Sequence, residues 1–97
     1  MWILRGSYDT EALIFRLVNG TSKTVGRAPA ADFKLDAALV SRVHCRITAD
    51  HEALNVEDLA STNGTFVNGR RVDTHQLLNG DRLKIGRVEL TVEQVNH

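Results

Sequence analysis

The sequence predicts an all-β protein, an antiparallel sandwich of about eleven strands with polar loops gathered at one end. Three observations predict it. Apolar and polar residues alternate with the period of a strand in run after run, as in Val43-His44-Cys45-Arg46-Ile47. Asn-Gly, a dipeptide that favours the tight turns of antiparallel hairpins because both residues tolerate positive φ, occurs four times. The strand-like runs recur roughly every ten residues, a spacing typical of sandwiches and barrels.

The alternating runs place the strands in order along the chain. We expect strands near residues 2–5, 12–18, 23–26, 33–35, 43–49, 53–58, 65–67, 70–72, 76–78, 82–86 and 88–95. Residues 28–31, around the single proline, could form one helical turn. A parallel α/β fold is disfavoured because no segment is long enough for the crossover helices that such a fold requires.

Length and charge limit the classes of function. With 97 residues, the chain is expected to form one domain over residues 1–97. It carries 12 basic and 12 acidic residues, and this net charge of zero argues against direct binding of nucleic acid, whose partners are usually basic. The N-terminus lacks the apolar run of a signal peptide, and no stretch approaches the length that spans a membrane. We therefore expect an intracellular domain without a membrane partner.

Residues that could hold a metal or carry out catalysis do not form a recognisable set. Cys45 alternates with apolar neighbours and is predicted to lie in the core, and it shares no zinc-ligand spacing with any histidine. Ser41, His44 and Asp58 contain the letters of a hydrolase triad, but nothing marks a nucleophile elbow or an oxyanion hole. The sequence therefore predicts that the protein binds no cofactor and no metal and is not an enzyme.

Three polar segments fall between the predicted strands: Gly26-Arg27, Ser41-Arg42 and Ser61-Thr62-Asn63. Loops at one end of a sandwich can converge although they are distant in sequence. Together they would present two guanidinium groups, two or three hydroxyls and an amide. A phosphate ester offers three strong acceptor oxygens and about −1.5 to −2 charge, which such groups bind well. The segments therefore suggest a surface that binds phosphate on a peptide.

These segments also resemble a known family. Gly26-Arg27, Ser41-x-x-His44 and the run from Ser61 to Thr65, followed by Gly80-Asp81 and Ile85-Gly86, look like the forkhead-associated (FHA) domain. The resemblance covers about residues 2–95, and the order and spacing of its motifs are specific. It implies an eleven-stranded β-sandwich that binds phosphothreonine peptides and is not an enzyme.

The resemblance implies a role for each matching position. Arg27 corresponds to the arginine that grips the phosphate, and Ser41 to the serine that hydrogen-bonds it. Arg42 occupies the next position, which also reaches phosphate. Thr62 corresponds to a threonine that meets the phosphate, and Asn63 to the asparagine that holds the peptide backbone. The architectural positions of the family, which support the site without touching ligand, are matched by Gly26, His44 and Gly64.

Two other functions remain open, as does the parent protein. A phosphate-independent scaffold or dimerisation module could use a sheet face, and a small nucleic-acid-binding barrel would need exposed stacking aromatics, of which the chain has few. The start at Met1-Trp2-Ile3-Leu4 resembles the FHA domain of nibrin-type DNA-repair adaptors, whereas the loop from Ser61 to Gly69 is closer to kinases and bacterial signalling proteins. We expect a nuclear parent slightly more than a bacterial cytoplasmic one. Partner identity, residue preference around the phosphothreonine and oligomeric state are left open.

Overall fold

Eleven strands form in the order that the alternation predicts, in a computed structural model that describes residues 1–95. They are β1 (Trp2–Tyr8), β2 (Glu11–Leu17), β3 (Thr21–Gly26), β4 (Phe33–Lys34), β5 (Cys45–Ala49), β6 (Leu54–Asp58), β7 (Thr65–Val67), β8 (Arg70–Val72), β9 (Thr74–Leu77), β10 (Arg82–Ile85) and β11 (Val88–Gln94). The all-β prediction is confirmed. The predicted domain range, 1–97, includes Asn96 and His97, which lie outside the described residues.

The strands form two packed sheets. One sheet has six strands in the order β2-β1-β11-β10-β7-β8, and the other has five in the order β4-β3-β5-β6-β9. Their inward faces carry the alternating apolar residues, so that Leu4, Ile47, Val56 and Leu83 are all buried between them. Such burial contributes about 25 cal/mol per Å² of apolar surface removed from water, and it supplies most of the stability of the sandwich.

Two aromatic side chains of the six-stranded sheet, Phe15 and Trp2, contact the other half of the sandwich. Phe15 of β2 and Phe33 of β4 stack across the sheets with ring centroids 4.5 Å apart. Trp2 is buried, as its strand position predicts, and its indole Nε1 donates to the Asp50 carbonyl at 3.0 Å. Cys45 is also buried, which confirms its core position, and burial raises the pKa of its thiol to about 12.

Four local features differ from the expectation. The pairing is antiparallel throughout except for a short parallel pair, in which Val25 of β3 lies beside Phe33 of β4. No helical turn forms at residues 28–31; a single hydrogen bond from Ala31 N–H to the Ala28 carbonyl closes a tight turn instead. Strand β1 continues to Tyr8, three residues beyond its predicted end. Strand β5 begins at Cys45 rather than at residue 43, because the preceding residues fold into the loop that carries Ser41.

The Asn-Gly pairs have a different use from the one predicted. Only Asn68-Gly69 forms a two-residue hairpin, between β7 and β8, with φ of 50° and 85°. The other three, at residues 19–20, 63–64 and 79–80, lie where the chain passes from one sheet to the other. The prediction that they make hairpins was wrong for these three. The same positive-φ glycines serve because a change of sheet also needs a sharp reversal.

The topology gives the molecule two poles. At one pole lie the end of β3, the start of β5 and the end of β6, and this pole carries the three polar segments. At the other pole the two ends of the described chain lie side by side, where Val95 N–H donates to the Met1 carbonyl at 2.8 Å. Among residues 1–95, no helix is long and apolar enough to cross a bilayer.

Candidate functional site

The first of the three polar segments is fixed by a close approach of two backbones. Gly26 ends β3, and a Cβ placed on it would lie 2.1 Å from the Arg42 carbonyl oxygen, so only glycine fits. Just beyond it, Arg27 N–H donates to the Ser41 carbonyl and Ala28 N–H to the Arg42 carbonyl, both at 3.0 Å. These bonds hold residues 26–28 alongside the Ser41 loop.

One nitrogen of the Arg27 guanidinium fixes the side chain, and the other two are left open to the groove. Its Nε donates to the Val40 carbonyl at 2.7 Å, which fixes the direction of the side chain. The two terminal nitrogens make no hydrogen bond within the described residues, although the side chain lines the groove at this pole. A guanidinium held by Nε and open at both terminal nitrogens can form forked, charge-assisted bonds to an anion.

His44 joins the second segment to the third. It is fully buried, and the Ser41 backbone N–H donates to its Nδ1 at 3.0 Å. Because Nδ1 accepts, the proton of the neutral ring lies on Nε2, which donates to the Gly64 carbonyl at 2.8 Å. Neither ring nitrogen contacts the Ser41 hydroxyl, so His44 has no position from which to activate that hydroxyl as a nucleophile.

Two further bonds tie the loops at their tips. The Ser41 Oγ accepts from Thr62 N–H at 3.0 Å, which leaves its own hydroxyl proton free. The Asn63 Nδ2 donates to the Leu39 carbonyl at 3.1 Å, and Leu39 adopts a left-handed φ of 69°. The side-chain oxygen of Asn63 and the hydroxyl of Thr62 remain unbonded among residues 1–95.

The third segment is supported from below by Asp58. One carboxylate oxygen accepts from the hydroxyls of Ser61 and Thr65, at 2.5 and 2.7 Å, and the other accepts from Ser61 N–H at 3.1 Å. Partial burial raises the pKa of this carboxyl, but the hydrogen bonds outweigh burial and hold its pKa below the ordinary value of 3.8. Ser61 Oγ in turn accepts from Gly64 N–H at 3.0 Å.

Gly64 occupies a position that few other residues could take. Its φ is +89°, and a Cβ placed on it would lie 2.8 Å from Nε of Arg71, whose side chain covers this part of the loop. With its N–H bound to Ser61 and its carbonyl bound to His44, the residue closes the third segment. The predicted supporting positions Gly26, His44 and Gly64 therefore all make contacts that shape the loops.

The three segments, together with residues 36–40 of the β4–β5 loop, line a groove of about 460 Å³. Four of the five predicted binding residues line it, namely Arg27, Ser41, Thr62 and Asn63; Arg42 does not, although its backbone helps to fix Ala28. The groove also includes residues that the sequence did not single out, chiefly Asp36 and the neighbouring Ala37 and Ala38. Nothing in the sequence distinguishes Asp36 from a solvated loop residue, since its position depends on how the β4–β5 loop folds.

The donors in the groove suit an oxyanion. Arg27 offers two terminal nitrogens, Ser41 a hydroxyl proton and Thr62 a second hydroxyl, and all three come from different loops. Charge-assisted hydrogen bonds of this kind are roughly twice as strong as neutral ones. Among residues 1–95, no cluster of three or more side chains has the composition of a metal site.

Comparisons with known proteins agree with this architecture. The FHA domain model matches residues 23–86. The glycogen accumulation regulator GarA of Mycobacterium tuberculosis is 39% identical over 74 residues, which are 76% of this chain and 46% of GarA. FhaA, an FHA domain-containing protein of the same organism, is 41% identical over 84 residues, or 87% of this chain and 16% of FhaA. The chain thus spans less than half the length of either relative.

Solved structures extend the agreement to almost the whole fold. One that concerns phosphothreonine-dependent FHA domain interactions superposes with a TM-score of 0.89, at 34% identity, and covers 99% of this chain and 98% of the other. This superposition confirms the predicted sandwich. The prediction that the domain is not an enzyme is confirmed by the match to the FHA family model and to a regulator. On the match of the family model, the fold and the convergence of the three loops, the chain belongs to the FHA domain family.

Proposed function

We propose that this domain binds phosphothreonine-containing segments of partner proteins and so brings its parent protein to phosphorylated targets. The observation that carries the proposal is the convergence of Arg27, Ser41, Thr62 and Asn63 on one groove. Arg27, Ser41 and Thr62 each keep a free donor there, and Asn63 keeps its side-chain oxygen free as an acceptor. The similar solved structure that concerns phosphothreonine-dependent FHA domain interactions supports the same proposal.

Each residue has a distinct role in the proposed complex. The terminal nitrogens of Arg27 bind two phosphate oxygens, and the hydroxyls of Ser41 and Thr62 donate to the phosphate as well. The N–H of Thr62 is already bonded to Ser41, so Thr62 acts through its hydroxyl. Asn63 holds the ligand backbone through its free side-chain oxygen. Arg42 adds positive charge from outside the groove, since it is exposed and does not line it.

The expected affinity is moderate. A hydrogen bond to a charged group contributes about 1.5–3 kcal/mol net, and three or four of them must offset the ordering of a flexible peptide. The remainder corresponds to micromolar binding, roughly −8 kcal/mol. Such affinity suits a reversible interaction that follows the phosphorylation state of the partner.

We further propose a bacterial signalling parent. GarA and FhaA are both mycobacterial, and GarA is a regulator by name. These relatives favour a cytoplasmic bacterial regulator, acting downstream of a threonine kinase, over the nuclear nibrin-type adaptor and the DNA-damage role that the N-terminal residues suggested. The domain then acts as one unit of a longer protein.

Calorimetric titration tests the binding proposal. The ligand is a degenerate peptide mixture centred on phosphothreonine, with phosphoserine and bare threonine mixtures as controls. We expect micromolar binding to the phosphothreonine mixture, weaker binding to phosphoserine because it lacks the γ-methyl, and none to bare threonine. Equal affinity for the phosphorylated and bare mixtures would instead support a phosphate-independent scaffold, and no binding to any mixture would contradict the proposal.

A further inference from the structure

We propose that Asp36 makes the groove select phosphorylated ligands that carry a lysine or arginine close to the phosphorylated residue. This inference rests on the proposed function, because it concerns the chemistry of the ligand that the groove accepts. It adds a determinant of specificity outside the predicted set of binding residues.

Asp36 is fixed in the wall of the groove by its neighbours. Leu35 is buried and its N–H donates to the Gly26 carbonyl at 2.8 Å, so the residue before Asp36 is anchored to β3. Ala37 is also buried, and its N–H donates to the Leu35 carbonyl at 3.0 Å. Held between two buried residues, Asp36 is exposed, and it lines the same groove as Arg27 and Ser41.

The carboxylate of Asp36 has no structural task among residues 1–95. Four other aspartates use their carboxylates to hold backbone N–H groups, namely Asp32, Asp50, Asp58 and Asp81. Asp36 makes no such bond, and the three ion pairs in the described part of the chain involve Arg5, Arg46 and Arg82 instead. Its charge is therefore available to a ligand.

A negative charge in an anion-binding groove has two opposite effects. It repels the phosphate, which weakens binding of every ligand whose flanking residues are neutral or acidic. It attracts a cationic side chain that reaches it, which strengthens binding of ligands with a suitably placed lysine or arginine. Both effects are moderate, because exposed charges interact through solvent and are screened by salt. Together, the two effects favour ligands with a suitably placed lysine or arginine over equally phosphorylated ligands that lack one.

A lysine scan tests the inference. One phosphothreonine peptide with otherwise uncharged flanks is compared with a series in which a single lysine occupies each flanking position in turn. The proteins are the unmodified domain, Asp36→Asn and the control Glu52→Gln. Glu52 is exposed in the β5–β6 turn, at the pole away from the groove, and its removal changes net charge by the same amount.

We expect lysine at one position, or at two adjacent positions, to tighten binding to the unmodified domain by about two- to fivefold, the size of an exposed ion pair. The gain should disappear in Asp36→Asn, persist in Glu52→Gln and shrink as salt is raised. Asp36→Asn should also bind the lysine-free peptide more tightly than the unmodified domain does, because it lacks the repulsion.

Three results would overturn the inference. The lysine gain could be unchanged in Asp36→Asn, no position could give a gain, or Asp36→Asn could bind the lysine-free peptide more weakly. If the unmodified domain binds the phosphorylated peptide but not the bare one, these results refute the role of Asp36 alone. If it binds neither, the proposed function fails and this inference fails with it.

Discussion

At the scale of single residues, the groove separates the atoms that hold its shape from those that face a ligand. The Nε of Arg27 is bound to the Val40 carbonyl, whereas its terminal nitrogens are open. The Oγ of Ser41 accepts a hydrogen bond from Thr62 and keeps its own proton to donate. One side chain thus performs both tasks, so a substitution affects stability and binding to different extents.

Arg27→Ala should greatly weaken phosphopeptide binding while largely preserving the fold. The loss of both terminal nitrogens removes charge-assisted bonds, and we expect a loss of at least about 2 kcal/mol, or roughly thirtyfold in Kd. The Val40 carbonyl loses its partner, which should lower the free energy of unfolding by no more than about 1.5 kcal/mol. Calorimetric titration and urea unfolding measure the two quantities.

Arg16→Ala is the matched control for this change. Arg16 is exposed on β2 near the opposite pole, so its removal alters the net charge equally without touching the groove. Its Kd should stay within about twofold of the unmodified value, as for other distant surface charges. A collapse of the melting temperature in Arg27→Ala would show that Arg27 is chiefly structural.

His44→Ala should lower the stability of the fold more than the affinity for phosphopeptide, the reverse of Arg27→Ala. It leaves the Ser41 N–H and the Gly64 carbonyl without partners and opens a cavity at a fully buried position. We expect the free energy of unfolding to fall by about 2–4 kcal/mol, with weaker binding as a secondary effect of looser loops. Urea unfolding of this variant beside the exposed His75→Ala provides the comparison, and equal stabilities would contradict a bracing role.

At the scale of elements, the segment between β6 and β7 connects the two sheets and also forms the third wall of the groove. Asp58 ends β6 in the five-stranded sheet, and Thr65 begins β7 in the six-stranded one. The bonds from Ser61 and Thr65 to Asp58 therefore stabilise the passage between sheets and the shape of the site together.

Asp58→Ala should destabilise the fold and alter its response to acid. The folded pKa of Asp58 lies below the ordinary 3.8, so its stabilising effect is complete above that value and is lost as pH falls through the folded pKa. We expect a loss of about 1–3 kcal/mol near pH 7 and a smaller loss near pH 3. Urea unfolding over this range, with Asp73→Ala as the control, measures it; a loss that does not depend on pH would contradict the role of the ionised carboxylate.

Much of this architecture follows from the sequence, and the exceptions have physical causes. Period-two alternation locates the strands because each strand has one face on the core. It places the start of β5 wrongly, because Val43 continues the alternation of Cys45 and Ile47 but lies exposed in the preceding loop. Asn-Gly predicts a reversal of the chain but does not distinguish a hairpin from a change of sheet. The groove position of Asp36 depends on the path of the β4–β5 loop between anchors distant in sequence, which no local pattern encodes.

The same limit applies to the site. The motif residues Arg27, Ser41 and Thr62 are recognisable from their spacing, and the structure brings them to one groove. The Asp58 network was missed because aspartate, serine and threonine after a strand are common in any turn. Ser61 and Thr65 follow Asp58 by three and seven residues, and only the folded loop shows that both hydroxyls donate to its carboxylate.

At the scale of the whole molecule, net charge contributes little to recognition. The 12 basic and 12 acidic residues cancel, so attraction of a phosphorylated ligand depends on the local groups of the groove rather than on a long-range field. Affinity should therefore follow the charge of the ligand phosphate closely.

Binding of a phosphothreonine peptide should weaken as pH falls from about 7 to about 5, because the phosphate gains its second proton near pH 6. Titrations across this range measure the effect. A difluoromethylene phosphonate analogue, whose second proton dissociates at lower pH, is the matched ligand, and its fall in affinity should move to lower pH. A flat profile for the phosphate ester would contradict a groove that binds the dianion.

The meeting of Met1 and Val95 at the pole opposite the groove has an architectural consequence. A polypeptide that enters and leaves such a sandwich through neighbouring points can be spliced into a surface loop of a host protein with little distortion of either. Tethers at both ends would leave the groove facing outward. The domain can therefore be inserted into different host proteins, and the fold, rather than the length of the linkers, directs its groove away from the host.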